Sequence, residues 1–211
     1  DLSIINTNTR NEKIKNFFEN NKNKIISGII VLIIIIVGVF SYDNYSINKK
    51  KDISDSYNSI IIDYSEKTKE KTASSLIEII NKKDPTYSPL SLYFIIDNNL
   101  VSDQSRINSL FDILINDTSL DSEINNLIIY KKALYNADNA QESDLLNMLN
   151  PLINSKSVWK SHSLYLMAEY FYANNQKQKA KEFFNQIIAL ENSNPDIRLQ
   201  AEKRLNRDLS E

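Results

Sequence analysis

The stretch "SHSLYLMAEYFYANNQKQKAKEFFNQIIALENSNP", residues 161–195, holds two apolar runs at helical spacing with a polar turn between them. In the second run Phe184, Ile187 and Ile188 recur three and four residues apart, which predicts an amphipathic helix. The turn, "ANNQ" at 173–176, supplies asparagine, as do "DNN" at 97–99 and "NADNA" at 136–140, and where a helix end needs left-handed backbone asparagine is the commonest choice next to glycine. The stretch therefore predicts a helical hairpin.

The hairpin places small residues where two helices meet. Ala168 in the first helix and Ala180 in the second let the helices approach closely, while Phe171, Phe184 and Ile187 fill the seam. This pattern resembles a tetratricopeptide repeat, whose period is about 34 residues. The last repeat is predicted at about 161–194, followed by a capping helix at about 195–209.

Earlier units follow from shifting this pattern back along the chain. A shift of 35 residues from Ala168, Ala180, Phe184 and Ile187 reaches Ala133, Leu145, Leu149 and Leu152, all apolar. A first-helix face that includes Ile124, Leu127 and Ile128 is compatible with a different register. The four prolines, at 85, 89, 151 and 195, are predicted to lie at breaks between helices. The predicted fold is all-α: one N-terminal transmembrane helix followed by a tetratricopeptide-repeat-like α-solenoid of helical hairpins, residues 43–211.

A second stretch, "IISGIIVLIIIIVGVFSY" at residues 25–42, carries no charge. As a helix it spans about 27 Å, close to the hydrocarbon thickness of a bilayer. A core helix would show a polar stripe, and a signal peptide a shorter apolar region with a small-residue cleavage site. The stretch therefore predicts a membrane anchor. Its marker residues are Ile25, Gly28, Leu32, Gly38, Phe40 and Tyr42.

Positive charge before the anchor predicts its orientation. Residues 1–42 carry five Lys or Arg and three Asp or Glu, so residues 1–24 are expected in the cytoplasm and residues 43–211 outside it. The predicted localisation is the bacterial inner membrane, single-pass, with a periplasmic C-terminal domain. "KIKNFFENN", residues 13–21, is expected either to lie on the membrane surface through Phe17 and Phe18 or to form a short frayed tail.

Composition argues against catalysis. The chain has no cysteine, and both of its glycines lie in the apolar stretch, which leaves no glycine-rich phosphate loop. Its single histidine, His162, has serine neighbours but no recognisable triad. No enzyme activity, cofactor, metal or small-molecule substrate is therefore expected. Residues 43–211 are mildly acidic and carry no basic stripe, which argues against nucleic acid as a partner.

Partner binding is the remaining function. If Ala168 marks the register, His162, Tyr165, Glu169 and Tyr172 face the concave groove of the array. Aromatic residues on a groove suit a peptide or a partner helix; the alternative is that both tyrosines pack against the neighbouring hairpin with their hydroxyls in water.

The order of parts resembles the ancillary SecYEG translocon subunit family of bacterial inner-membrane proteins. The resemblance rests on "FFENNKNKIISGIIVLIIIIVGVFSY" and on the hairpin around "LYLMAEYFYANNQKQKAKEFF". It implies a scaffold that binds the SecYEG translocon and a periplasmic prolyl-isomerase-type chaperone. The alternative is a structural or assembly subunit of another envelope or respiratory membrane complex.

Overall fold

The computed structural model describes the backbone of residues 2–209 and the side chains of residues 10–41 and 45–209. Every regular element in residues 2–209 is helical. Contacts divide the chain into two compact units, Asp1–Asp52 and Ile53–Glu211. The first helix, α1 (Leu2–Ile62), contributes residues to both units.

The apolar stretch lies within α1. The stretch is unburied, and the helix is long and apolar enough to cross a membrane. Leu32 and Phe40 are 58% and 65% exposed, and a Cβ built on Gly28 or Gly38 meets no heavy atom within 4 Å apart from its chain neighbours and the nearby backbone of its own helix. Ile25 lies in the same helix, whereas the side chain of Tyr42 falls outside the described side chains.

The helix does not end where the apolar stretch ends. The sequence predicts a boundary between residues 42 and 43, but α1 continues to Ile62 and the compact units divide after Asp52. The physical reason is burial, because Ile53 is only 3% exposed and belongs to the hydrophobic core of the second unit.

The second unit consists of helical hairpins. After residues 53–62 of α1 and a 3-10 turn (Glu66–Thr68), its helices are α2 (Lys69–Asn81), α3 (Tyr87–Asp97), α4 (Gln104–Asp112), α5 (Ser122–Asn136), α6 (Glu142–Ile153), α7 (Lys160–Ala173), α8 (Lys177–Ala189) and α9 (Pro195–Asp208). A π-helical turn, Ile113–Asp117, extends α4. Asp103, Asp121 and Asn194 cap the starts of α4, α5 and α9 by accepting hydrogen bonds from backbone N–H groups.

The hairpins repeat at a nearly constant interval. The first helices α3, α5, α7 and α9 begin 35, 38 and 35 residues apart, and the second helices α2, α4, α6 and α8 begin at the same three intervals. Side-chain hydrogen bonds link positions 33 to 35 residues apart in successive units: Ser54–Tyr87, Lys83–Asp117, Glu123–Ser157, Glu142–Gln176, Ser161–Asn194 and Glu169–Arg204. The stacking of similar hairpins explains this regularity, because each unit contacts the next in the same way.

Two apolar clusters form the core. The first joins Ile53 to helices α2 to α5, and the second joins α5 to α9. The nine residues predicted to pack the repeats are all buried in the second cluster: Ala133, Leu145, Leu149, Leu152, Ala168, Phe171, Ala180, Phe184 and Ile187. Trp159 packs against the same cluster while partly exposed.

The register of α5 differs from the predicted shift of 35 residues. Ala133 is the twelfth residue of α5, whereas Ala168 is the ninth residue of α7 and Phe171 the twelfth. Because the two helices begin 38 residues apart, Ala133 occupies in α5 the position that Phe171 occupies in α7. Ala133 is nevertheless fully buried. The turn before α6 is longer than the turn before α8, and this difference supplies most of the extra residues.

The turns follow the predicted chemistry only in part. Asn99 and Asn175 adopt positive φ angles of 48° and 58°, as the asparagine-rich turns predict. Lys83, which no pattern singles out, also has a positive φ of 55°. In the turn after α5, the carbonyl of Asn136 instead accepts from the N–H groups of Asn139 and Ala140 without left-handed backbone.

The proline prediction is wrong at two of its four positions. Pro195 opens α9 and Pro85 lies in the turn before α3, but Pro89 is the third residue of α3 and Pro151 lies inside α6. Pro89 is tolerated because the first N–H groups of a helix have no partner within it. Pro151 lies in the last turn of α6, close to where the helix ends in any case.

Candidate protein-interaction surface

Three of the four predicted groove residues contact one arginine. Tyr165, Glu169 and Tyr172 lie at helical spacing on α7 and are half-buried. Arg204 of α9 donates from Nε to Glu169 Oε1 over 2.6 Å and also bonds Glu169 Oε2. Its guanidinium lies 4.6 Å from the ring centroid of Tyr172, a cation–π contact. This face of α7 is therefore engaged by α9 within the chain.

The contact between α7 and α9 shifts the pKa values of its ionisable side chains. The Glu169 hydrogen bond raises the pKa of Arg204, and Asp208 adds to the shift with a 2.7 Å bond from Nη1. Burial, followed by the neighbouring Glu169, raises the pKa of the Tyr165 hydroxyl. Arg207 and Arg204 together lower the pKa of Asp208. Arg204 thus holds α9 against α7 by charge-assisted bonds.

His162, the fourth predicted groove residue, belongs to a different contact. Its ring lies 5.0 Å from Trp159 and 5.9 Å from Tyr130 of α5, between ring centroids. Tyr130 and Trp159 stack on each other at 5.7 Å with an interplanar angle of 21°. Burial lowers the pKa of the imidazole, so His162 behaves as a neutral packing side chain at pH 7. The predicted site thus splits between α5 on one side and α9 on the other.

An exposed row of aliphatic residues was not singled out from the sequence. Leu90, Ile124 and Val158 are 41%, 42% and 66% exposed and lie 34 residues apart, each near the start of a first helix. We call these three residues the aliphatic ladder. The signal that could have found it is a large aliphatic residue recurring every 34 residues outside the core positions.

Hydrogen bonds join the segments that carry Ile124 and Val158. Glu123, next to Ile124, accepts a hydrogen bond from Ser157 Oγ over 2.8 Å and another from the backbone N–H of Val158 over 3.3 Å. Ser157 is buried, so this link is partly shielded from water. The contact holds the segment that carries Val158 against the start of α5.

A cleft of about 340 Å³ adjoins Val158. Its lining consists of Ser155, Lys156, Ser157, Val158, Lys160, Ser161, Leu190 and Asn192. Two lysines and two aliphatic side chains meet there without a carboxylate in the lining. That combination suits an aliphatic residue beside an acidic group on a partner.

A second cleft, of about 370 Å³, has the opposite charge. Its lining consists of Ala137, Asp138, Ala140, Leu166, Glu169, Tyr170, Ala173 and Asn174. Tyr170 donates its hydroxyl to the carbonyl of Ala140 over 3.1 Å, which closes one wall. In this second cleft the charge of Glu169 is already paired with Arg204. The lysines of the cleft next to Val158 therefore leave more charge available to a partner.

Within the described residues, no group of three or more His, Asp or Glu side chains could hold a metal ion.

Comparison with known proteins identifies a tetratricopeptide repeat-like domain at residues 15–94. No curated protein and no solved structure matches the chain. The matched range takes in much of α1, all of α2 and most of α3, whereas the hairpin of α7 and α8 that carries the sequence resemblance lies beyond it. A helical repeat of this kind is typical of protein–protein interaction scaffolds.

Proposed function

We propose that this chain is a membrane-anchored helical-repeat scaffold of the bacterial inner membrane, an ancillary Sec translocon subunit that links translocation to periplasmic chaperones. The observation that carries the proposal is the aliphatic ladder, because three exposed aliphatic residues of successive hairpins offer apolar contacts to a partner. The proposal assigns the chain no catalytic role.

The anchor contributes by confinement. Among the described residues, none buries the apolar stretch of α1, and hydrocarbon is the environment in which such a helix is stable. Tethering raises the effective concentration of the repeat unit for membrane partners without adding contacts. Weak contacts along the ladder then suffice for association.

The identity of the partners comes from the sequence resemblance alone. Its test is co-purification from membranes in a mild detergent, with the full chain and a version lacking residues 1–52. We expect translocon subunits and a periplasmic chaperone with the full chain, and the chaperone alone with the truncated version. Recovery of another complex in fixed ratio would support the alternative of a structural or assembly subunit.

The binding surface has its own test. Val158→Asp places a carboxylate on the ladder, whereas Leu199→Asp changes a comparably exposed leucine of α9 that is not part of the ladder. We expect the first variant to lose the co-purified chaperone and the second to retain it. Equal retention by both variants would exclude the ladder as the binding surface and leave the anchor proposal standing.

A further inference from the structure

The segment before the apolar stretch has an ordered arrangement of side chains around α1. Three apolar residues follow Ile14 at helical spacing: Phe17, Phe18 and Ile25 lie three, four and eleven residues after it. The four side chains therefore lie on one side of the helix. Phe17 and Phe18 are 61% and 56% exposed, and their rings meet edge to face at 6.0 Å. We call this set the phenylalanine stripe.

Asn21, the polar residue on this side, does not interrupt the stripe. Its Nδ2 donates to the carbonyl of Phe17 over 2.9 Å, so the amide is turned back onto the helix. The side chain is half-buried by this contact. Apart from Asn21, the stripe is therefore apolar from Ile14 to Ile25, over about 17 Å of helix.

Lysines flank the stripe on both sides. Lys15 and Lys22 are seven residues apart and lie along one flank, while Lys13 and Lys24 are eleven residues apart and lie along the other. After either seven or eleven residues an α-helix has turned back to within about 20° of its starting direction, so the members of each pair point the same way. Glu12 and Glu19, again seven apart, occupy the side opposite the stripe. An apolar stripe bordered by lysines, with acidic residues facing away, is typical of helices that lie on anionic bilayers.

We infer that residues 12–25 bind an anionic lipid surface, with the phenylalanine stripe in the interface and the four lysines on lipid phosphates. Charge complementarity selects the occupant, because basic residues beside a membrane helix are drawn to the negative surface potential of the leaflet. The inference rests on the membrane anchor of the proposed function, because that anchor places the segment at the bilayer.

In the structure α1 is one continuous helix over Leu2–Ile62, so contact of the stripe with the bilayer surface requires α1 to bend, and residues 20–23 are where we expect the bend. This sequence, "NNKN", is among the least helix-favouring parts of α1, since asparagine ranks low in helix propensity. Bending α1 there lets Ile14, Phe17 and Phe18 turn toward the interface while Ile25, at the end of the stripe, stays with residues 26–42 in the hydrocarbon.

The absence of cysteine allows one fluorophore to report on one position. Phe18→Cys carries an environment-sensitive dye on the stripe, Asn16→Cys carries it on the opposite side, and Leu32→Cys carries it in the apolar stretch. Each full-length variant is reconstituted into vesicles of phosphatidylcholine alone or with phosphatidylglycerol. Quenching by acrylamide, a neutral quencher, measures the exposure of the dye to water.

We expect the dye at position 18 to be protected in vesicles containing phosphatidylglycerol, at low salt, and the dye at position 16 to remain exposed. High salt, or Lys→Gln changes at 13, 15, 22 and 24 together, should return position 18 to the exposure of position 16.

Each other outcome overturns a separate statement. A dye at position 32 that is quenched like a soluble dye overturns the membrane anchor itself. If position 32 is protected but position 18 is not, the anchor stands and the stripe inference fails. Equal protection of position 18 in neutral vesicles, or protection only when another protein is added, excludes an anionic lipid surface as its partner.

Discussion

Arg204 and Glu169, 35 residues apart, form a two-point ion pair that joins α9 to α7. Their side chains are only 23% and 28% exposed, so the pair is better shielded from solvent than most surface ion pairs. The same guanidinium also binds Asp208 and covers the ring of Tyr172. The last helix is thus held over residues that the sequence assigns to a partner-binding groove.

Arg204→Met should loosen α9. The change leaves Glu169 half-buried without its cation, and we expect a loss of about 1–2 kcal/mol of stability. Hydrogen exchange of the amides at 195–208 measures this effect directly. Arg207→Met is the matched control, because that side chain is 71% exposed and contacts only the far end of the network. Equal loss of protection in both variants would show that the pair with Glu169 is not what holds α9.

Ala168 should tolerate no larger side chain. It is fully buried in the second cluster, and Ala168→Leu adds volume where α7 meets its neighbours, so we expect a loss of about 1–3 kcal/mol. Ala173→Leu makes the same change at the exposed end of α7 and should leave stability nearly unchanged. Urea denaturation followed by circular dichroism compares the two, and similar midpoints would contradict the close packing of α7.

Asn175 should be replaceable by glycine but not by alanine. Its φ of 58° is left-handed, which an alanine adopts at a cost of about 1 kcal/mol, whereas glycine adopts it without strain. Thermal unfolding of Asn175→Ala and Asn175→Gly measures the difference. Asn174→Ala, at a neighbouring residue with φ of −89°, tests whether the effect comes from the backbone or from asparagine side chains in general.

Tyr93 and Tyr170 should respond oppositely to loss of their hydroxyl groups. Tyr93 Oη is buried without a hydrogen-bond partner among the described residues, so Tyr93→Phe should leave stability at pH 7 unchanged or raise it by up to about 1 kcal/mol. Tyr170→Phe removes the bond to the Ala140 carbonyl and should lower stability by about 1 kcal/mol. Denaturant titration at pH 7 distinguishes the two variants.

The same tyrosine predicts a dependence on alkaline pH. Burial raises the pKa of Tyr93 from 10.0 to about 12, so ionisation of this hydroxyl does not affect stability below pH 10 and lowers it as pH rises from 10 toward 12. Between pH 10 and pH 12 the Tyr93 hydroxyl is ionised in the unfolded chain but stays largely protonated in the folded chain. Tyr93→Phe should therefore gain stability relative to the original chain between pH 10 and pH 12, and parallel curves would contradict the burial of the hydroxyl.

Local patterns and packing account for different parts of this molecule. Spacing of apolar residues predicts the helices, and Ala168, Ala180, Phe184 and Ile187 are buried as the repeat pattern requires, because burial at helical spacing is a property of the local sequence. The uncharged run predicts a helix suited to a membrane, since length and hydropathy are likewise local. Asparagine in the turns predicts left-handed backbone at Asn99 and Asn175.

Only the tertiary structure decides which faces stay exposed. Tyr165, Glu169 and Tyr172 share a helix face in the sequence, yet Arg204 engages that face because stacking brings α9 onto α7. Leu90, Ile124 and Val158 stay exposed at or just before the starts of α3, α5 and α7, because the packing of the hairpins buries other apolar residues and leaves these three outside the core. The sequence by itself determined the helices, their apolar faces and the uncharged segment. The stacking of hairpins, which depends on contacts about 35 residues apart, decided the register of α5, the continuation of α1 into the core and the surface left for a partner.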